Sequence, residues 1–240
     1  MDLEEKVRAG IIPEHLAVIM DGNRRWAKSK NLPARDGHKE GAMRVIDLVR
    51  NAVELGIKYL SIYAFSTENW RRDKKEVDYL MSLLVEFVAK ELDYMHENGV
   101  KITLMGNIED LPQKTKSEVK RSIELTKNNK KLHLNIALSY GSRDEIVNAV
   151  KKIIDDYENN KINIDEIDEE NFKNYLFTHD MPDPDLLIRT SGEIRLSNFL
   201  LYQLAYSEFY FTDVLWPDFK KDELLKAVES FQDRKRRYGN

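Results

Sequence analysis

The sequence predicts an α/β fold, one domain over residues 1–240 with a mostly parallel central sheet of about six strands flanked by helices. Three observations carry that prediction. Short apolar runs alternate with segments of helical period along the whole chain, the pattern of a parallel sheet with right-handed crossovers. Several of these runs stop abruptly at polar residues, as expected where ligands bind outside the carboxyl ends of strands. With 240 residues and neither an internal repeat nor a linker, one large domain suffices, and on size scaling it buries about 70 to 75% of its unfolded surface.

Leu16 to Met20 is an apolar run bounded by polar residues, which fits a strand buried on both faces. Asp21-Gly22-Asn23 follows it, then a short helix from Arg24 to Lys30 that Asn31-Leu32-Pro33 stops. Gly37-His38 opens a second helix ending at Gly56, and Tyr59 to Phe65 is the second strand. Ser66-Thr67-Glu68-Asn69 and Trp70-Arg71-Arg72 come next. From Lys74 to about Asn98 one stripe of apolar residues runs down a long helix, and Leu83 and Phe87 widen it, so the helix is apolar on more than one side. Val100 to Met105 and Leu132 to Ser139 are strands three and four, with helices from Gln113 to Lys127 and Asp144 to Tyr157. The acidic stretch Asn159 to Glu170 reads as a surface connection into a helix near Phe172 to Phe177. Leu186 to Ile188 and Glu208 to Phe211 are the last strands, and a helix from Lys220 to Arg237 closes the chain; its basic end, Arg234 to Arg237, suits the helix dipole.

Composition narrows the function. A formal net charge of −4 gives no global attraction to nucleic acid, and the absence of cysteine excludes disulfides and thiolate metal sites and fits the cytoplasm. The acidic and basic residues of Met1 to Gly10 do not make a signal peptide, and no apolar run has the length of a membrane span.

Two stretches point to anions. Asp21, Gly22, Asn23, Arg24 and Arg25 place a carboxylate at a strand end, a turn glycine and two guanidiniums at a helix start. Asp21 would repel a bare phosphate, so the simplest guest is a diphosphate with Mg²⁺; an ordinary capped surface helix is the alternative. In Arg189 to Ser197, Arg189 and Arg195 can grip a second phosphate in fork geometry, Ser197 offers a hydroxyl and Gly192 lets the backbone approach. A polar loop with internal ion pairs remains open as the other reading. Ser66 and Asn69 share the same sheet edge, and His38 stands at a helix start where an imidazole could touch phosphate. Leu83, Leu84, Phe87 and Val88 suit either plain core or the walls of a pocket for an apolar tail. His15, His96, His133 and His179 lack partners at metal spacing and read as structural. Neither GxxxxGK[ST] nor a GxGxxG after a strand occurs, so nucleotide-binding and Rossmann readings have no support.

The stretches HLAVIMDGNRRWAK, GHKEG, YAFSTENW, LNIALSYG and LLIRTSGEIRLSNFLLYQLAYSEFYFTDVLWPDF resemble the cis-prenyltransferases, most closely the bacterial undecaprenyl diphosphate synthases, over about His15 to Tyr238. The resemblance implies that family's fold with an apolar tunnel; Asp155-Asp156-Tyr157 does not make the DDxxD pattern of all-helical prenyl synthases. It implies condensation of isopentenyl diphosphate onto an allylic diphosphate, such as farnesyl diphosphate, to give a long cis-polyprenyl diphosphate for the cell-wall lipid carrier; shorter or longer products are the alternative. Position by position, it makes Asp21 the catalytic carboxylate that holds Mg²⁺ and ties Asn69, with Phe65 and Ser66, to condensation and proton loss. Gly22, Asn23, Arg24, Arg25, Trp26 and His38 would hold the allylic substrate, with Trp70 beside its chain. Arg72 and Glu76 would belong to a loop closing over the site. Arg189, Arg195 and Ser197 would bind isopentenyl diphosphate, and Glu208 would serve Mg²⁺ from a partner subunit or through water. A homodimer and peripheral membrane contact for product release are implied as well.

Some positions depart from the family pattern. Ala34 stands where arginine is usual, with Arg35 next to it; Asp73 replaces a frequent proline, Arg24 a common glycine and Tyr202 a common tryptophan. A haloacid dehalogenase-type phosphatase would need a second aspartate where Asn23 stands, and a non-catalytic partner subunit would lack the intact Asp21-Gly22-Asn23.

Overall fold

Strands β1 (His15–Ile19), β2 (Tyr59–Ser66), β3 (Val100–Met105), β4 (Leu132–Tyr140), β5 (Leu186–Arg189) and β6 (Glu208–Phe211) form one sheet in the order β3-β4-β2-β1-β5-β6, and every neighbouring pair is parallel. The computed structural model describes residues 2–234, so Lys235 to Arg237 of the basic tail lie outside the described residues. Helices α1 (Leu3–Ala9), α2 (Asn23–Ser29), α3 (Ala34–Leu55), α4 (Lys74–Glu97), α5 (Gln113–Thr126), α6 (Ser142–Glu158), α7 (Glu169–Lys173) and α8 (Lys221–Gln232) connect and cover the strands.

All five residues of β1 are buried, because the strand is central and both its faces are covered. On one face Val18, Leu60, Leu134 and Ile188 pack with Val49 of α3, Leu92 of α4 and Leu225 of α8. On the other, Ala17, Ile19, Ala137 and Leu187 meet Phe199, Leu200 and Leu204 from the segment after β5.

Four elements differ from the sequence reading, and one of them is the last helix: α8 ends at Gln232 instead of running to Arg237, so Arg234 lies past its end. Helix α1 lies where no element is predicted, and it carries a capping box in which Asp2 accepts from the Glu5 N–H at 2.8 Å and Glu5 accepts from the Asp2 N–H. Helix α3 starts at Ala34, directly after Pro33, rather than at Gly37. Helix α7 is earlier and shorter than predicted, since Asp168 caps it by accepting from the Asn171 N–H at 2.7 Å.

A polar chain crosses four strands inside this apolar sheet. His15 faces Pro182 O at 2.6 Å through Nδ1 and Ser61 Oγ at 2.8 Å through Nε2. The Asn135 amide donates to Ser61 Oγ at 3.5 Å, Thr103 donates to Asn135 Oδ1 at 3.0 Å, and His133 Nε2 lies 2.7 Å from Thr103 Oγ1. One donor direction satisfies every link when both imidazoles are neutral: His133 gives to Thr103, Asn135 to Ser61, Ser61 to His15, and His15 to Pro182 O. Burial depresses both histidines to a pKa of about 4. The unfolded chain therefore binds these protons first, so the stabilisation is complete above about pH 6.5 and is lost as pH falls towards about 4. His133→Gln, followed by urea unfolding across that window, is expected to flatten the decline by up to about 1.4 kcal/mol per pH unit; equal slopes in both proteins would contradict the assignment.

Candidate active site

The register of the sheet sets the site. Ile19 is level with Tyr63 on β2 and Arg189 on β5, so Asp21, Ser66 and the loop after Arg189 gather beyond one carboxyl edge. The cleft there is lined by Asp21, Gly22, Asn23, Arg24, Arg25, His38, Ser66, Asn69, Arg72, Arg189, Arg195 and Ser197. Five arginines stand in or beside it against three carboxylates, Asp21, Glu76 and Glu193, an excess of positive charge that draws a polyanion.

Asp21 is held through its backbone as well as its side chain. The buried Thr190 hydroxyl accepts from the Asp21 N–H at 2.9 Å and donates to Asp21 O at 2.6 Å, and the Trp216 N–H donates to Asp21 O at 3.0 Å. Asp21 Oδ2 accepts from Arg189 at 3.1 Å, while Arg25 lies 3.6 Å from Oδ1. Gly22 follows at φ +114, a conformation that L side chains rarely adopt, and an added Cβ would lie 3.1 Å from both Ser191 and Leu215. Gly37 and Gly41 of α3 let Asn23 sit against that helix, because a Cβ on either would meet Asn23 oxygens at 2.1 and 2.2 Å.

Arg189 is 3% exposed and reaches three places: Asp21, the Ser197 hydroxyl at 2.8 Å, and the Arg195 carbonyl. Arg25 donates to Ser191 O at 2.7 Å and Ser191 Oγ at 2.5 Å and pairs with Glu193 at 3.0 Å. Ser191 and Ser197 both have left-handed backbones, as do Asn198 and Leu200. Such conformations persist only where neighbours enforce them. Asn198 is held on three sides: its carbonyl accepts from the Ser142 N–H at 2.8 Å, its Oδ1 from the Arg143 N–H at 2.9 Å, and its amide donates to Glu68 at 3.0 Å.

On the far wall, Asn69 Oδ1 accepts from the Ser66 N–H at 3.1 Å and so caps the turn Thr67–Arg71. Arg72 donates to Glu76 at 3.1 Å; Arg24 lies 3.9 Å from the same carboxylate and His38 3.8 Å. Burial lowers the His38 pKa first, Glu76 opposes that, and Arg72 and Arg24 reinforce it, which favours a neutral imidazole. Asn23 Oδ1, His38 Nε2 and Arg189 Nε are buried without a hydrogen-bond partner, polar capacity left for a ligand.

An apolar cavity of about 160 Å³ opens from the same place. Leu83, Leu84, Phe87 and Val88 of α4 line it, as do Val45 and Ile46 of α3, with Phe65, Leu134, Ile136 and Leu138 as its sheet side. Met20, Asn23, His38, Tyr63, Ala64 and Leu80 line both the cavity and the cleft, so the two spaces adjoin.

Some residues singled out from sequence lie elsewhere. Trp26 faces away from the cleft, its indole donating to Asp218 at 2.9 Å. Trp70 stands behind Phe65, edge-on at 4.9 Å, and donates to Ser139 at 2.8 Å. Arg35 is exposed beside Asp36 at 3.8 Å. Glu208 does not meet Asp21 within one chain. It opens β6 level with Leu186 and Leu16, whereas Asp21 is five residues further along, roughly 16 Å at strand rise. Arg234 takes the Glu208 carboxylate at 2.6 Å. Conversely, Thr190, Glu193, Tyr63 and Asn198 shape the cleft and escaped the sequence reading. The signal for the first two was their place beside Arg189.

A cationic cleft joined to an apolar channel at the edge of a parallel sheet defines a protein that handles a molecule with an anionic head and a hydrocarbon tail. The comparisons narrow this further. Residues 19–239 match the prenyltransferase family model described as "putative undecaprenyl diphosphate synthase". The chain is 52% identical to an isoprenyl transferase of Bacillus cereus over 99% of this chain and 92% of that one. It is 51% identical to the ditrans,polycis-undecaprenyl-diphosphate synthase of Micrococcus luteus, specific for (2E,6E)-farnesyl diphosphate, over 97% and 94%. Among solved structures, lavandulyl diphosphate synthase from Lavandula x intermedia, in complex with dimethylallyl diphosphate, superposes with a TM-score of 0.92 at 38% identity, covering 95% of this chain and 99% of that one. The chain belongs to this prenyltransferase family and is a transferase of prenyl groups.

Thr190→Val keeps the volume of Thr190 but leaves the Asp21 amide without its hydroxyl partner. It is expected to cost about 1 to 3 kcal/mol in urea unfolding and to lower turnover as Asp21 loosens. Unchanged stability and turnover would show that Thr190 does not hold the strand end.

Proposed function

We propose that the protein condenses isopentenyl diphosphate onto an allylic diphosphate, with farnesyl diphosphate as primer, and makes a long cis-polyprenyl diphosphate of undecaprenyl length. The observation that carries the reading is the shared wall of cleft and cavity, which lets a diphosphate lie among the arginines while its tail enters the space between α3 and α4.

In this reading Gly22, Asn23, Arg24, Arg25 and His38 receive the allylic diphosphate, and Arg189, Arg195 and Ser197 receive that of isopentenyl diphosphate. The allylic C–O bond breaks and its electron pair leaves with the diphosphate. The guanidiniums and the free backbone N–H groups at the start of α2 stabilise that charge, already in place as it develops. The double bond of isopentenyl diphosphate attacks the allylic carbon, and a proton is lost as the new cis double bond forms. Ser66 and Asn69, braced by their shared hydrogen bond, stand on the wall beside that event.

Asp21 is the residue that would hold Mg²⁺. Its carboxylate, 32% exposed into the cleft, suits an ion that is usually bound by one or two carboxylates and by substrate phosphates. When bound, Mg²⁺ neutralises diphosphate charge and eases departure of the leaving group. Glu208 could join such a site only from another subunit. A homodimer is supported by α6, which leaves Val147, Val150, Ile154 and Tyr157 exposed at helical spacing. No helix among the described residues is long and apolar enough to cross a membrane, and the reading places the protein in the cytoplasm, with peripheral membrane contact to deliver the product.

Purified protein with Mg²⁺, farnesyl diphosphate and labelled isopentenyl diphosphate is expected to place label in a long-chain product extracted into organic solvent. Asp21→Ala should cut turnover by several orders of magnitude, each tenfold step being about 1.4 kcal/mol, with the fold intact. An unlabelled extract from the unmodified protein, or near-normal turnover in the variant, would contradict the proposal.

A further inference from the structure

Helices α3 and α4 flank the apolar cavity, yet among the described residues the polar contacts joining them fall at their two ends. At the cleft end the Tyr79 hydroxyl donates to Arg35 O at 3.1 Å, and Glu76 faces His38 at 3.8 Å. At the far end one guanidinium, Arg50 of α3, stands 4.7 Å above the ring of Tyr94 and 3.5 Å from Glu91, both on α4. Between the ends, the two helices present Val45, Ile46, Leu84, Phe87 and Val88 to the cavity. Arg50 is one turn beyond Ile46, Glu91 one turn beyond Val88, and Tyr94 is next to Met95, the last residue of α4 that lines the cavity. The polar contact thus closes the pair where the lining ends.

We infer that Arg50, Glu91 and Tyr94 form a clasp that holds the far ends of α3 and α4 together and so sets the length at which a growing prenyl chain stops. This rests on the elongating activity proposed above. Each condensation adds five carbons at the cleft and drives the earlier tail deeper. When the tail fills the space, a further unit must either displace side chains packed against the sheet or part the two helices. The sheet side cannot yield, since Leu134 and Leu138 belong to buried strand β4. Parting the helices is the softer route, and the clasp is what resists it.

Two features separate this contact from an ordinary surface ion pair, which contributes little. The one guanidinium engages a carboxylate and an aromatic face together, a combination that the planar arginine fork suits and lysine does not. The partners are also set in place, because Glu91 is only 15% exposed and Tyr94 packs against the main core. The clasp lies at the opposite end of the cavity from Asp21, so it acts on length and not on bond formation.

The test compares the unmodified protein with Arg50→Ala, Tyr94→Leu and Arg50→Lys, each with Mg²⁺, farnesyl diphosphate and labelled isopentenyl diphosphate. Product lengths are read by reversed-phase chromatography after dephosphorylation, the first addition is timed in single turnovers, and circular dichroism checks the fold. Arg50→Ala and Tyr94→Leu are expected to shift the products longer by one or more five-carbon units at an unchanged rate of first addition, with Arg50→Lys between them and the unmodified protein. Products of unaltered length from folded variants overturn the clasp alone. If the unmodified protein itself makes no polyprenyl product, the functional reading and the clasp both fall.

Discussion

Arg189 is the buried charge on which the two halves of the cleft depend. A guanidinium 3% exposed at the end of a central strand is tolerable only because its hydrogen bonds are taken up by Asp21, Ser197 and the Arg195 carbonyl. Those three acceptors come from the two stretches that each suggest an anion site. One residue therefore fixes the spacing between the carboxylate at the end of β1 and the loop after β5, and that spacing decides whether two diphosphates can lie side by side. Its Nε remains without a partner, so the residue is not fully used by the protein alone.

The parallel sheet makes this economy of parts possible. Because Ile19, Tyr63 and Arg189 share one level, residues separated by well over a hundred positions reach one edge without any special loop. The helices that cross back over the sheet then decide what the edge can be used for. Gly37 and Gly41 let α3 lie against Asn23, which brings the start of the channel to the rim of the cleft. In the proposed reading, head and tail of one ligand fall to different layers of the fold, the head to strand ends and loops, the tail to the gap between α3 and α4.

How much of this could be read from the chain follows from where each signal lies. Strand β1 was legible because its five buried residues are consecutive, and the apolar width of α4 marked a helix that faces more than solvent and core. Asp21 and Arg189 stood out because charges at strand ends have few structural uses, and Arg195 and Ser197 because they follow in the loop after Arg189. What stayed hidden depends on partners distant in sequence. Thr190 holds Asp21 across 169 positions, and the chain from His133 to His15 alternates with apolar residues on four different strands. Trp26 and Glu208 show how little a motif says of placement: both sit within family motifs, yet the fold turns one towards Asp218 and puts the other at the amino edge beside Arg234. Helix α1 was missed although Asp2 and Glu5 have the spacing of a capping box, because too few apolar residues follow to show a period.

The central claim is that one ligand spans both spaces, with its diphosphate among the arginines and its hydrocarbon between α3 and α4. The most direct measurement is a crystal structure with Mg²⁺ and an unreactive thio analogue of farnesyl diphosphate. The account predicts the diphosphate beside Asp21 and Arg25, with the chain running past Tyr63 and Leu80 towards Phe87 and Val88. A diphosphate bound away from the Asp21 edge, or a chain lying outside the α3–α4 gap, would contradict it.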